Sequence, residues 1–158
     1  MTDKRPSWDN VWMSFAHLIA ARSYDPRYRV GSVIVTDTNT QVLAVGYNGN
    51  YSGGPNEVES TQPGHSGMIH AEINALIKLD YNNPNRKIMY LTLSPCENCA
   101  MAVINSGVKE VVYKEEYRDK TGINLNSLII FPIAKADKAH KFIEAFSKAK
   151  RAEYLTMA

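Results

Sequence analysis

The chain has 158 residues, of which 44% are hydrophobic and 22% charged, an ordinary composition for a soluble domain long enough to bury a core without disulfides. Its 18 Lys and Arg against 16 Asp and Glu leave a formal net charge of +2, which argues against a broad surface for binding polyanions. No apolar run could span a bilayer, and no apolar secretory stretch follows Met1, so a cytoplasmic protein with no membrane partner is expected.

Val11, Trp12, Phe15, Leu18 and Ile19 recur at helical spacing, and the pattern predicts a helix over Trp8 to Ser23 capped by Ser7. Tyr24-Asp25-Pro26 ends it. Val30 to Thr36 and Gln41 to Tyr47 are β-rich and flank the turn residues Thr38-Asn39-Thr40, which predicts a hairpin. From Asn48 to Gly67 the composition shifts to Gly, Pro, Ser and Asn, a long loop of the kind that is functional or disordered. A helix is expected over Ile69 to Leu79, a strand over Ile88 to Leu93, a helix over Glu97 to Ser106 and a strand over Val108 to Tyr113. Leu125 to Ile133 is apolar and reads as helix, strand or both. Ala136, Ala139, Phe142, Ile143 and Phe146 mark an amphipathic helix with a Lys-rich outer face. There is no internal repeat or linker, so one α/β layered domain over residues 1–158 is expected.

Two short motifs carry chemistry. His70-Ala71-Glu72 opens one expected helix, and Pro95-Cys96-Glu97-Asn98-Cys99 opens the next. Alone, an H-x-E is common by chance, and a lone C-x-x-C serves metal or redox work. Together they offer one imidazole, two thiols and a carboxylate. Three protein ligands on zinc leave a fourth position for water, the arrangement of a catalytic site. A carboxylate beside that water can take its proton. A helix N-terminus favours the thiolate form of Cys96 and Cys99. Residues two apart share no face within a regular helix, so His70 and Glu72 converge only at its first turn or just before it. A purely structural zinc would want a fourth Cys or His, and His65 is the near candidate. H-x-E followed by P-C-x-x-C is the signature of zinc nucleobase deaminases.

These residues make the chain resemble the cytidine and deoxycytidylate deaminase superfamily, and most of all its deoxycytidylate branch. The resemblance also covers Ala21-Arg22-Ser23, Val30-Gly31-Ser32-Val33-Ile34-Val35, Gly46-Tyr47-Asn48-Gly49, Ile73-Asn74-Ala75 and Gly107 to Tyr113. It implies a three-layer α/β/α fold with a mixed five-stranded sheet. It implies His70, Cys96 and Cys99 as zinc ligands, Glu72 as the proton shuttle, Asn48 as a sugar contact and Val30 as an apolar wall for the base. It further implies a homo-oligomer, often a hexamer, and regulation by dCTP and dTTP through Gly46, Tyr47, Asn48 and Gly49. Many members carry Pro two residues beyond that segment, where this chain continues Asn50-Tyr51-Ser52. Some bind a second zinc through Cys or His in the loop before the catalytic His. Asn50 to Ile69 contains no Cys, so one zinc per subunit is expected.

The implied reaction is deamination of dCMP to dUMP and ammonia. The alternatives are another cytosine or adenine substrate, including tRNA adenosine, and a non-catalytic zinc module. An RNA editor should carry a basic stripe, and none is visible, so a small nucleotide is favoured and no nucleic-acid partner is expected. Glu72 argues against a non-catalytic module. A nucleotide needs a phosphate ligand, for which Arg22, Arg27, Arg29, Arg118 and Lys120 are available. Tyr117 and Arg118 rank first because they follow a strand whose end should face the pocket, with Arg22 kept beside them.

Overall fold

A computed structural model describes residues 5–125 and 129–133. Five strands form one sheet, β1 Gly31–Thr36, β2 Val42–Tyr47, β3 Lys87–Leu93, β4 Glu110–Glu115 and β5 Ile129–Pro132. Among the described residues three α-helices accompany it, α1 Trp8–Ala20, α2 Ala71–Leu76 and α3 Glu97–Asn105, with a 3-10 turn at Thr121–Asn124. The strand order is β2-β1-β3-β4-β5. β1 runs antiparallel to β2 and β3, while β3, β4 and β5 are parallel, so the sheet is mixed, as expected. The apolar segment 125–133 resolves in part into β5. The expected amphipathic helix over 136–146 lies outside the described residues.

Alternating strand residues feed two apolar clusters on opposite faces, as the two-residue period requires. Ile34, Met89, Leu91 and Val111 pack with Ala75, Leu76 and Val103 of α2 and α3. Val33, Val35, Ile88, Tyr90 and Val112 pack with Met13 and Ala16 of α1. Three layers result. The fully buried run of β1 reflects cover on both faces. Ser7 caps α1 as expected, its hydroxyl accepting the Asn10 N–H at 3.2 Å.

Helix lengths depart from the sequence reading for local reasons. α1 stops at Ala20 because the chain turns into a knot of side-chain bonds, with the Ser23 hydroxyl accepting the Asp25 N–H at 3.2 Å. α2 starts at Ala71 rather than Ile69 because Ile69 is paired in a bridge with Gly49. It ends at Leu76 because Lys78 and Leu79 donate three residues back instead of four. β4 begins two residues late, since the Lys109 N–H is the first beyond α3 to reach β3, at the Lys87 carbonyl.

The pairing directions place the site. β1 opposes β3, so the start of β1 lies beside the end of β3, with Ser32 opposite Leu91. Gly31 likewise faces Tyr47 at the end of β2. One edge of the sheet therefore gathers Val30, Asn48, Leu93 and Ser94.

Candidate active site

His70 and Cys96 are both helix N-caps, extended at ψ 154° and 168°, so each projects its side chain from a helix start. The His70 Nδ1 atom lies 3.6 Å from Cys96 Sγ and 3.3 Å from Cys99 Sγ. The three donor atoms all lie within 4.8 Å of one another. Tetrahedral zinc with bonds of about 2.0–2.3 Å needs ligand atoms about 3.3–3.8 Å apart, so the donor set and spacing fit that ion. Nδ1, rather than Nε2, is the imidazole donor that faces the sulfurs.

Glu72 follows two residues after His70, in the first turn of α2, and is only 4% exposed. Burial pushes its carboxyl up to about 7, against the opposing pull of its own backbone N–H and of His70. Hydrogen bonds from Cys99 and His70 hold the Cys96 thiol down to about 4. Cys99 is pushed up, because the Cys96 sulfur beside it and burial both oppose a second thiolate. The hydrogen bond to Cys96 raises His70 against the effect of burial. A cation bound among them would ionise both thiols.

A cavity opens over this cluster. His70, Ala71, Glu72 and Cys96 line one side, with Leu93, Ser94 and Tyr117 from the ends of β3 and β4. Asp25, Arg27, Tyr28, Val30, Asn48, Gly64 and Ser66 line the other. The long loop therefore supplies part of the wall. Val30 and Tyr117 reach the cavity, and the Tyr117 N–H donates to the Ser94 hydroxyl at 2.8 Å.

Asn48 also lines the cavity, with its amide engaged by the protein. Its Oδ1 accepts the Val30 N–H at 2.8 Å, and its Nδ2 donates to the Tyr28 carbonyl at 2.8 Å and towards Asp25 at 3.5 Å. Arg118 lies outside, in an adjoining groove with Glu97, Asn98 and Asp119. Arg22 and Arg29 are exposed and do not line the cavity. Lys120 is exposed and pairs with Glu116 at 2.7 Å.

Gly46 has a packing duty. A Cβ there would stand 2.3 Å from the Ala71 carbonyl oxygen and 2.4 Å from the Ala75 nitrogen, so its absence lets β2 touch the start of α2. The Asn74 side chain adds a hydrogen bond to the Tyr47 carbonyl at 2.9 Å. Sequence reasoning missed Asp25, Tyr28, Ser66, Leu93 and Ser94; Leu93 and Ser94 are signalled by their place at the end of β3, whereas Asp25, Tyr28 and Ser66 lie in coil that carries no such signal. It also missed Gly122, where a Cβ would lie 2.3 Å from the Pro95 carbonyl oxygen. The 3-10 turn thereby backs the Pro95-Cys96 corner.

Among the described residues no helix is long and apolar enough to cross a membrane. The family model for the cytidine and deoxycytidylate deaminase zinc-binding region matches residues 6–115. Deoxycytidylate deaminase of Saccharomyces cerevisiae is 35% identical over 125 residues, covering 72% of this chain and 39% of that protein. The human deoxycytidylate deaminase is 32% identical over 121 residues, covering 71% of this chain and 67% of that protein. This chain thus spans well under half of the yeast protein it resembles. The crystal structure of dCMP deaminase from the cyanophage S-TIM5 in complex with dCMP and dUMP matches with a TM-score of 0.71 and 29% identity, covering 82% of this chain and 98% of that one. With the family model matched over most of its length, the chain belongs to the cytidine and deoxycytidylate deaminase zinc-binding family.

Proposed function

We propose that this protein catalyses hydrolytic deamination of dCMP to dUMP and ammonia. The observation that carries the proposal is the buried carboxylate of Glu72 beside the His70, Cys96 and Cys99 donor set, inside a cavity. The likeness to the cyanophage enzyme, which binds dCMP and dUMP, supports the choice of nucleotide.

Held by His70, Cys96 and Cys99, one zinc per subunit would supply Lewis-acid activation of water near neutral pH. Glu72 removes a proton from the attacking water and passes it to ring nitrogen 3 as the oxygen bonds to carbon 4. It then carries the second water proton to the exocyclic amine. The carbon–nitrogen bond breaks, ammonia leaves, and the carbon 4 oxygen becomes a carbonyl. Burial suits this shuttle, because it raises the carboxyl's affinity for the proton that it must take from water before passing it on. Val30 and Leu93 line the cavity and would give the base apolar walls.

Ammonia release from dCMP, CMP, deoxycytidine, dAMP and a tRNA anticodon stem tests the reading. Turnover fastest with dCMP is expected. Preference for the tRNA stem would overturn it.

The same reading extends to a homo-oligomer, supported by exposed Leu18 and Ile77, with light scattering as its check. It extends also to nucleotide regulation beside Gly46 to Gly49, supported by an outer cavity lined by Tyr24, Tyr47, Gly49, Asn50 and Tyr51. Turnover titrated with dCTP and dTTP checks that extension.

A further inference from the structure

Cys96 stands at a corner that two other segments grip. It follows Pro95 in the short coil after β3 and is the N-cap of α3. On one side Ser94, only 3% exposed, ties the corner to the end of β4. Its N–H donates to the Glu115 carbonyl at 2.8 Å, and its hydroxyl accepts the Tyr117 N–H at 2.8 Å. On the other side the 3-10 turn brings the buried Gly122 against the backbone. A Cβ at 122 would stand 2.3 Å from the Pro95 carbonyl oxygen, 2.7 Å from the Cys96 carbonyl carbon and 2.8 Å from the Cys96 oxygen. That Cys96 oxygen accepts the Ala100 N–H at 2.9 Å, so the turn lies on the first hydrogen bond of α3.

Gly122 is not one of the glycines with positive φ, which are Gly53, Gly64, Gly67 and Gly107. Its backbone is one that alanine adopts, so position 122 excludes a side chain and not a conformation. The turn is itself anchored. The Thr121 N–H and hydroxyl donate to the Asp119 carboxylate at 2.9 and 2.6 Å, and Ile123 packs on the apolar cluster beneath α2 and α3. The ring of Pro95 fixes its φ, so a push on its carbonyl passes to Cys96. Carbon and oxygen do not approach below about 3.0 Å, so an added methyl group must gain about 0.7 Å. Metal–ligand distances hold to about 0.2 Å. A push of that size on the corner exceeds what a ligand position tolerates.

We propose that Gly122 and Ser94 are positioning residues that clamp the Pro95-Cys96 corner, holding Cys96 where it meets His70 and Cys99, and that this clamp sets how tightly zinc is kept. Neither residue belongs to the donor set. The proposal rests on His70, Cys96 and Cys99 as the zinc ligands and not on the choice of substrate. General loss of stability is the rival explanation for any variant here, and G107A controls for it. Gly107 follows the same helix at φ 83°, with nothing within 4 Å of the place of its Cβ, so alanine there strains the backbone without touching the corner.

The test titrates the full chain with zinc against a chelator of known affinity and records the thiolate-to-cobalt absorption of the cobalt-substituted protein. G122A should weaken zinc binding about 10- to 100-fold, the range for residues that orient metal ligands, and should alter the cobalt spectrum. S94A should weaken it about 2- to 10-fold, the scale of one lost hydrogen bond. G107A should lower Tm and leave zinc affinity as in the wild type. Wild-type affinity and spectrum in G122A would mean that the turn yields instead of the corner, and would overturn the clamp. Equal weakening in G107A would reduce the effect to lost stability and overturn it as well. If G122A does not fold, S94A against G107A decides: weakening in S94A alone supports the clamp, and equal affinities overturn it. A wild type that holds neither ion would refute the donor set and the clamp together. Zinc weakened by G122A but not by G107A, in a protein that does not turn over dCMP, would support the clamp while refuting the substrate reading.

Discussion

His70, Glu72, Cys96 and Cys99 sit in or beside the first turns of two helices packed on the sheet, whereas Asp25, Arg27, Tyr28 and Asn48 sit in coil on the other side of the cavity. The first group is held by apolar packing. Ala71, Ala75, Ala100 and Val103 are fully buried behind it, so displacing one ligand means sliding a helix across a filled core. The second group is held by side-chain-to-backbone hydrogen bonds, with Asn48 and Asp25 between them fastening Arg27, Tyr28 and Val30. The donor set thus rests on regular elements, and the facing wall rests on coil held by its own polar contacts.

The contrast makes graded expectations. The largest effect is expected for Cys99→Ala. Cys99 is 3% exposed and contributes one of three donors. Its loss should drop zinc from one equivalent per chain towards zero and abolish turnover, as metal analysis and a dCMP assay would show. Full zinc retention would mean that the donor set is not the metal site.

Glu72→Gln separates shuttle from ligand within the same rigid region. Turnover should fall on the order of a hundred- to ten-thousand-fold, or further, while zinc stays near one per chain. Lost zinc would make Glu72 a ligand, and near-normal turnover would remove its proton role.

Asn48→Ala probes the other wall. The substitution leaves the Val30 N–H and the Tyr28 carbonyl without their partner. Part-buried groups left so cost about 1 kcal/mol each, which for the two together at this chain length lowers Tm by about 4–8 °C. The Michaelis constant should rise as the loop loosens. A raised Michaelis constant with unchanged Tm would favour a direct sugar contact over a fastening role.

The remaining effect is thermodynamic and belongs to the metal-free protein. Below pH 4.5 the Glu72 carboxyl is neutral whether folded or unfolded, and Glu and Gln are equivalent. Between 4.5 and about 7 the unfolded chain releases a proton that the fold retains, so the native state loses stability as pH rises. Above about 7 the penalty is complete, at about 3 kcal/mol. Urea melts of chelated protein should therefore show E72Q more stable than wild type at pH 8, with the gap closing towards pH 5. A gap independent of pH would exclude the buried carboxylate as its cause.

The His70, Cys96 and Cys99 donor set and the carboxylate beside it were legible as two local motifs, because a helix start presents its cap and first-turn residues in one direction whatever surrounds it, while the roles given to them came from the resemblance. Four strands were legible in the same way, since β1 to β4 carry dense β-branched and aromatic runs bounded by polar turns. The resemblance supplied the mixed sheet, which the strand pattern by itself leaves open. Only the tertiary structure set Arg27 on the cavity and Arg22 away from it, because Asp25, Tyr28 and Val30 are drawn to Asn48, 18 or more residues later. Only it showed that Gly46 is small because a helix start lies against it. Nδ1 of His70, rather than Nε2, was chosen by how α2 and α3 meet at the ends of β2 and β3. Motif chemistry is written in neighbouring residues, whereas the recognition wall is assembled from segments far apart in the chain, whose meeting depends on strand order and pairing direction.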